Sequence, residues 1–332
     1  MIVAKFLLAI VAAAFALQAH AQPPLKVRIA WIVPVSNIAQ FLFTAKDQLR
    51  HHGKSYVAEL SRFQGSTPQL TALGTGDLDI ALLGFTSFPL AIQNAKMEDL
   101  RIILDELRDG TPGYYSNEFM IRKEGGANAI TEFKGKTLAT NARGSAVDIA
   151  MRAVLRKNGL DDKSFTVVEA AFPNMRAMLL EKKVELIPAV LPFSLNPELV
   201  ANAKALFTQR DALGQSSLGI WVVRAAFLQK NRAVVVDILE DYLRAQAFLL
   251  DPKNHRAAVE LASAASKIPV PALESWLFTK KDYYRPADGE LDVESLQSNI
   301  DVMRELGFLT ERVEAKKYVD MSYVREAAKR VK

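Results

Sequence analysis

The stretch Asn141-Ala142-Arg143-Gly144-Ser145-Ala146-Val147-Asp148 holds the most chemistry per residue in the chain. Gly144 lets the backbone approach a bound group closely, and Ser145 offers a hydroxyl. Arg143 can hold a carboxylate or sulfonate through paired hydrogen bonds. The same residues also read as a plain helix start, with Ser145 as N-cap, Asp148 three residues on and Arg143 in solvent. Further candidates stand where strands end. Ser36 and Asn37 follow the first strand, and Thr86 and Ser87 follow a buried apolar run. Tyr114, Tyr115 and Ser116 leave a turn-rich segment and suit either a pocket wall or a packed junction. Asn174 can bond a solute or cap a helix, and Phe193 and Trp276 can wall a pocket or fill the core.

Enzyme chemistry finds little support. The chain has no cysteine, which excludes thiolate nucleophiles, thiolate metal sites and disulfides. Of its four histidines, His20 lies in the N-terminal apolar segment, and His51, His52 and His255 lack ligand partners at helical spacing. Gly-x-Ser-x-Gly is absent, Gly74-Thr75-Gly76 lacks the rest of a dinucleotide fingerprint, and Gly144-Ser145 lacks a P-loop lysine. No cofactor is expected.

The elements that must position these residues are legible from periodicity. Leu25–Trp31 alternates like a strand, and a helix is predicted after Ser36 or Asn37, with Phe41, Leu42, Ala45 and Leu49 on one face. A strand near Tyr56–Phe63 follows, then a short helix opened by Ser66-Thr67-Pro68 and closed at Gly74 or Gly76. Leu78–Gly84 reads as a buried strand. The helix, tight turn and acidic-apolar strand recur at Phe172–Leu191, which predicts two lobes built from one βαβ unit. Glu118–Arg122 and Gly219–Arg224 are expected to cross between them. Each strand end then feeds a helix N-terminus, where free N–H groups and the dipole favour an anion.

The first residues read differently. Lys5 precedes the unbroken apolar run Phe6–Leu17, and Ala19-His20-Ala21 follows. That is a secretory signal over residues 1–21, too short for a membrane span of about 20 apolar residues. The expected location is therefore the periplasm. The formal charge of +5 is scattered rather than clustered, which favours anionic solutes and argues against nucleic acid. No patch argues for an oligomer, so a monomer is expected.

The order of Gly65-Ser66-Thr67-Pro68-Gln69-Leu70, Gly76-Asp77-Leu78-Asp79-Ile80-Ala81, Phe133–Ala139, Gly144-Ser145-Ala146, Leu155–Leu160 and Asn299-Ile300-Asp301 resembles a family. It is the sulfonate, nitrate and taurine group of ABC-transporter substrate-binding proteins, grouped with the thiamine-precursor-binding proteins. The resemblance implies an α/β, type II periplasmic-binding-protein fold: two Rossmann-like lobes, a central cleft and two crossover strands. It implies lobe 1 over 22–119 plus 222–332 and lobe 2 over 120–221. It implies solute held by the first-strand loop, the Gly84–Ser87 region and Gly144-Ser145, then passed to a permease with its ATPase. Where such proteins carry a Trp-Asp-Pro-like stretch, this chain has Leu191-Pro192-Phe193. Arg143 beside aromatic residues points to a small organic anion, a carboxylate or sulfonate with an apolar or aromatic body. The competing readings are a binding-protein-like enzyme of thiamine-precursor metabolism and a receptor that presents solute to a signalling partner.

Overall fold

The computed structural model describes residues 23–331; the expected signal segment lies outside them. Two sheets of matching strand order build the molecule. The first has the order β2-β1-β3-β10-β4, with β1 Leu25–Trp31, β2 Tyr56–Arg62, β3 Ile80–Leu83, β4 Leu100–Asp109 and β10 Ser216–Arg224. β1 runs parallel to β2 and β3, while β10 runs antiparallel to β3 and β4. β1 shows why its alternation matters. Val27 and Ile29 enter the core, and Arg28 on the other face clamps Asp79 through two side-chain bonds of 2.9 and 2.7 Å. Gly76 ends the helix Ser66–Thr75 in a left-handed turn (φ 79°) that only glycine adopts freely, and this returns the chain to β3.

The second sheet comprises β5 Glu118–Arg122, β6 Thr137–Thr140, β7 Thr166–Glu169, β8 Ile187–Ala189 and β9 Ala203–Thr208. β6 pairs with β7 in parallel, and β5 lies antiparallel between β8 and β9. Ala139 N donates to Leu186 O (3.0 Å) and Glu185 N to Thr137 O (2.9 Å), which sets β6 beside β8. The order β7-β6-β8-β5-β9 repeats the first sheet position for position. The recurrence read from the sequence is thus a recurrence of topology, and the architecture is the expected two-lobed α/β fold.

Two expectations need correction. Glu118–Arg122 and Gly219–Arg224 do not cross between lobes; each is sandwiched inside one sheet. Ile220–Val223 are fully buried between β3 and β4, so this strand is core rather than hinge. The crossings are Gly110–Asn117 and Gln209–Gln215, and residues 216–221 hydrogen-bond into the first sheet rather than the second. The helix expected after Ser36 or Asn37 is also broken. It spans only Ala39–Leu42, because Thr44 turns its hydroxyl onto the Phe41 carbonyl (2.6 Å) and competes with the helix ladder.

The crossings are pinned together. Asp109 accepts from Ser116 Oγ (2.6 Å) and Asn117 N (2.7 Å), and Ser116 Oγ accepts from Arg210 N (3.1 Å). Asn117 Nδ2 donates to Gln209 Oε1 on the other crossing (3.1 Å). Helices Arg232–Leu250, His255–Ser266, Val293–Glu305 and Ser322–Val331 belong to the mainly helical C-terminal third. No helix among the described residues is long and apolar enough to cross a membrane.

Candidate functional site

The carboxyl ends of β1, β3 and β8 converge on a cavity of about 60 Å3 between the lobes. That is room for about four waters. Its wall is mostly apolar: Ile32, Leu82, Leu107, Phe172, Val190 and Leu218 all contribute. Ser36, Asn37, Ser66, Asn117, Asn141, Ser145 and the Tyr283 hydroxyl supply its polar side-chain groups. Among the described residues no Arg, Lys, His, Asp or Glu lines it.

Two helices begin at this cavity. Ser145 caps the helix Ala146–Lys157 by accepting from Asp148 N (3.4 Å), and its hydroxyl donates to Asn141 Oδ1 (2.7 Å). The N–H groups of Ala146 and Val147 find no protein acceptor among the described residues. The helix Ser66–Thr75 starts after Gly65, which has no side chain to cap it, and the Ser66 and Thr67 N–H groups are likewise without an acceptor. Each helix start carries roughly half a positive charge. Nearby acids are restrained. Burial pushes Glu106 up, opposed by bonds from Trp221 Nε1 (2.7 Å) and Ile38 N (3.0 Å). Burial likewise raises Asp148, which Arg152 holds at 3.1 Å. The cavity therefore offers neutral donors and positive dipole ends in a mostly apolar wall, a setting that stabilises a small anion.

The lobes are shut over it. Gln64 Nε2 donates to Asn141 O (2.7 Å), and Asn141 Nδ2 returns to Gln64 O (3.0 Å). Thr67 Oγ1 donates to Arg143 O (2.6 Å), and Thr86 Oγ1 and Ser87 Oγ both donate to Gly144 O (3.0 and 2.9 Å). On the other side Ser36 Oγ reaches Leu191 O (2.8 Å). Two glycines make the approach possible. A Cβ on Gly65 would stand 2.7 Å from Ala142 Cβ, and one on Gly84 would stand 3.0 Å from Ala146 Cβ.

Of the residues singled out in the sequence, Ser36, Asn37, Ser145 and Ala146 line the cavity. Ser36 spends its hydroxyl on the opposite lobe, and Asn37 Oδ1 holds Ile32 N (2.9 Å) and Val33 N (2.7 Å), fixing the first-strand loop. Thr86, Ser87 and Gly144 form the seam rather than the cavity wall. Arg143 is outside: its side chain is 68% exposed, with Glu169 at 3.9 Å. Its backbone carbonyl accepts from Thr67 Oγ1 across the seam, while the side chain faces solvent.

The other aromatic and polar candidates lie elsewhere. Tyr114 packs edge-on against Tyr284 at 5.2 Å, and Tyr115 packs against Tyr283 at 5.3 Å and donates to Ala189 O (3.0 Å). Ser116 pins the crossings, as described above. Asn174 is exposed on the first turn of the helix Phe172–Leu180. Phe193 stacks on Phe172 at 6.2 Å from a separate small crevice, and Trp276 is core, its indole N–H satisfied by Ala272 O (2.8 Å). Sequence reasoning missed Ser66 and Asn141 as wall residues, although both sit at strand or helix ends it had marked. Asn117 and Tyr283 gave no local signal. Tyr283 Oη donates to Asn117 Oδ1 (2.5 Å) and accepts from Leu191 N (3.3 Å), linking a crossing to both lobes.

Solved structures share this architecture. The alkanesulfonate-binding protein SsuA from Xanthomonas axonopodis, bound to MOPS, is 20% identical and superposes with a TM-score of 0.71, over 90% of this chain and 99% of that one. The periplasmic nitrate-binding protein NrtA from Synechocystis is 12% identical, with a TM-score of 0.73 over 93% and 89%. The desulfurization enzyme DSZB is 14% identical, with a TM-score of 0.65 over 93% and 100%. At such identities the likeness is one of fold. No curated protein matches the sequence. A family model does: residues 20–263 match it, most of the chain, and the protein belongs to the NMT1-like family.

Proposed function

We propose that the protein is a periplasmic solute receptor that shuts two lobes over a compact anion and delivers it to an ABC-importer permease with its ATPase. The observation that carries this reading is the cavity itself. Among the described residues it is interlobar, free of side-chain charge, and faced by two helix starts that each carry two N–H groups without a protein acceptor. Neutral donors select an anion without the ion pair that would make release slow. At about 60 Å3 the closed cavity suits a carboxylate or oxyanion of about four heavy atoms. A larger apolar body requires a more open state. SsuA and NrtA, of the same fold, are a sulfonate-binding and a nitrate-binding protein, which supports an anion.

An enzymatic role is the weaker reading. DSZB shows that this fold can host a reaction, but the cavity here is lined by no cysteine, histidine or acid that could act as nucleophile or base. A thermal-shift screen of the secreted protein with nitrate, acetate, methanesulfonate and benzoate tests the proposal. A ligand at a hundredfold its Kd stabilises the folded state by about 2.7 kcal/mol. A shift with a neutral or cationic compound and with none of these anions would overturn the anion assignment.

A further inference from the structure

Beside the solute cavity lies a second pocket of about 230 Å3. The two spaces share Ile32 and Phe172 as a common wall. Ile32 follows β1 in the first lobe, and Phe172 opens a helix of the second. The partition is therefore made by the meeting of the lobes, and a modest parting joins the two spaces. Phe63, Ala171 and Pro173 continue the apolar lining of the outer pocket. Its one charged lining residue is Arg62, and among the described residues no other charged side chain lines either space.

Arg62 is exposed but held. The parallel register of β1 and β2 sets it beside Trp31. Its guanidinium lies over the Trp31 ring at 5.5 Å from the centroid, and its Nε donates to Ile32 O (3.3 Å). Neither Nη atom has an acceptor, and no carboxylate pairs with the side chain, among the described residues. One edge of the guanidinium is thus fixed by the protein, while two donors remain for a carboxylate.

We infer that the solute is an acid with two anionic ends joined by an apolar body. One end sits at the helix starts of the inner cavity, the body passes between Ile32 and Phe172, and the second end meets Arg62 at the mouth of the outer pocket. This rests on the receptor reading above and names the solute class of that site. The compact group that the closed cavity accepts is then the head of a longer molecule, bound with the lobes slightly parted. A cationic tail is repelled by Arg62, and an uncharged tail leaves its free donors without an anion.

The test is calorimetric titration of the secreted protein with the straight-chain dicarboxylates from malonate to suberate. Each is compared with its own monoamide, which has the same length and one charge fewer. The expected result is one dianion bound per chain, with at least fivefold preference over the monoamide at one or more of the longer chain lengths and none at malonate. Arg62→Gln should reduce that preference to within about twofold and leave acetate affinity within about twofold. Lys253→Gln, an exposed charge lost outside both pockets, should change neither. The proposal is overturned if no chain length prefers the second carboxylate, if Arg62→Gln keeps the preference, or if Lys253→Gln abolishes it equally. Acetate or nitrate binding without any dianion preference removes the two-ended solute and leaves the receptor. Absence of binding by every monoanion and dianion removes both.

Discussion

Gly65→Ala should prevent full closure without harming either lobe. Gly65 is extended (φ −172°), a conformation open to any residue, so alanine adds no backbone strain. Its new Cβ would lie 2.7 Å from Ala142 Cβ and 2.8 Å from Asn141 Nδ2, both on the opposite lobe. Relaxed carbon contacts lie at about 3.5–4.0 Å, so the lobes must part there by about 1 Å. That shift takes the reciprocal pair between Gln64 and Asn141, at 2.7 and 3.0 Å, out of hydrogen-bond range. Two such bonds contribute about 1–3 kcal/mol net, all of it to the closed form. Affinity for the anion giving the largest thermal shift should fall about 5- to 150-fold by calorimetric titration. The urea midpoint of the ligand-free protein should hold. Gly74→Ala is the matched control, because nothing lies within 4 Å of its Cβ position. Wild-type affinity in Gly65→Ala, or a loss that tracks global destabilisation, would show that close approach at Gly65 does not govern closure.

Arg143→Ala should leave solute affinity within about twofold by the same titration, since the side chain stands outside the cavity. Ser145→Ala removes both a helix cap and a wall hydroxyl, and should cost about 0.5–2 kcal/mol in urea unfolding while also weakening binding. Trp221→Phe strips buried Glu106 of a 2.7 Å donor, and should cost about 2–3 kcal/mol by the same assay. Burial pushes the Asp109 carboxyl up to about 7, against the bonds from Ser116 and Asn117, whereas the unfolded chain titrates near ~3.9. Between those values the folded state binds the extra proton, so this group's contribution is full below pH 4 and is lost as pH rises to 7. Unfolding free energy should therefore decline by about 2–3 kcal/mol more in the wild type than in Asp109→Asn between pH 5 and pH 8.

Local periodicity made the strands legible, because β1 alternates and β3 is an unbroken buried run bounded by glycine. The repeated helix, turn and strand carried the two-lobed architecture. The hinge was not legible, because a central strand and a crossing strand have the same apolar composition. Only the pairing of Ile220–Val223 on both edges separates them. The site was half legible. Strand ends located Ser36, Asn37, Ser145 and Ala146. Hydroxyls that bond a solute and hydroxyls that bond the other lobe look alike in sequence, so Thr86 and Ser87 were read as ligand contacts. Arg143 was misplaced for a related reason: spacing puts a residue at a helix start but leaves its side chain free to face either way. Asn117 and Tyr283 meet only through long-range folding, across 166 positions.

The proposed receptor shuts a cavity free of side-chain charge over a compact anion. Calorimetric titration with nitrate, acetate, methanesulfonate, benzoate and the neutral isostere acetamide tests it most directly. The structure predicts saturable binding that is tightest for an anion of about four heavy atoms and absent for acetamide. Tighter binding of acetamide than of acetate, or saturable binding of benzoate alone, would contradict it.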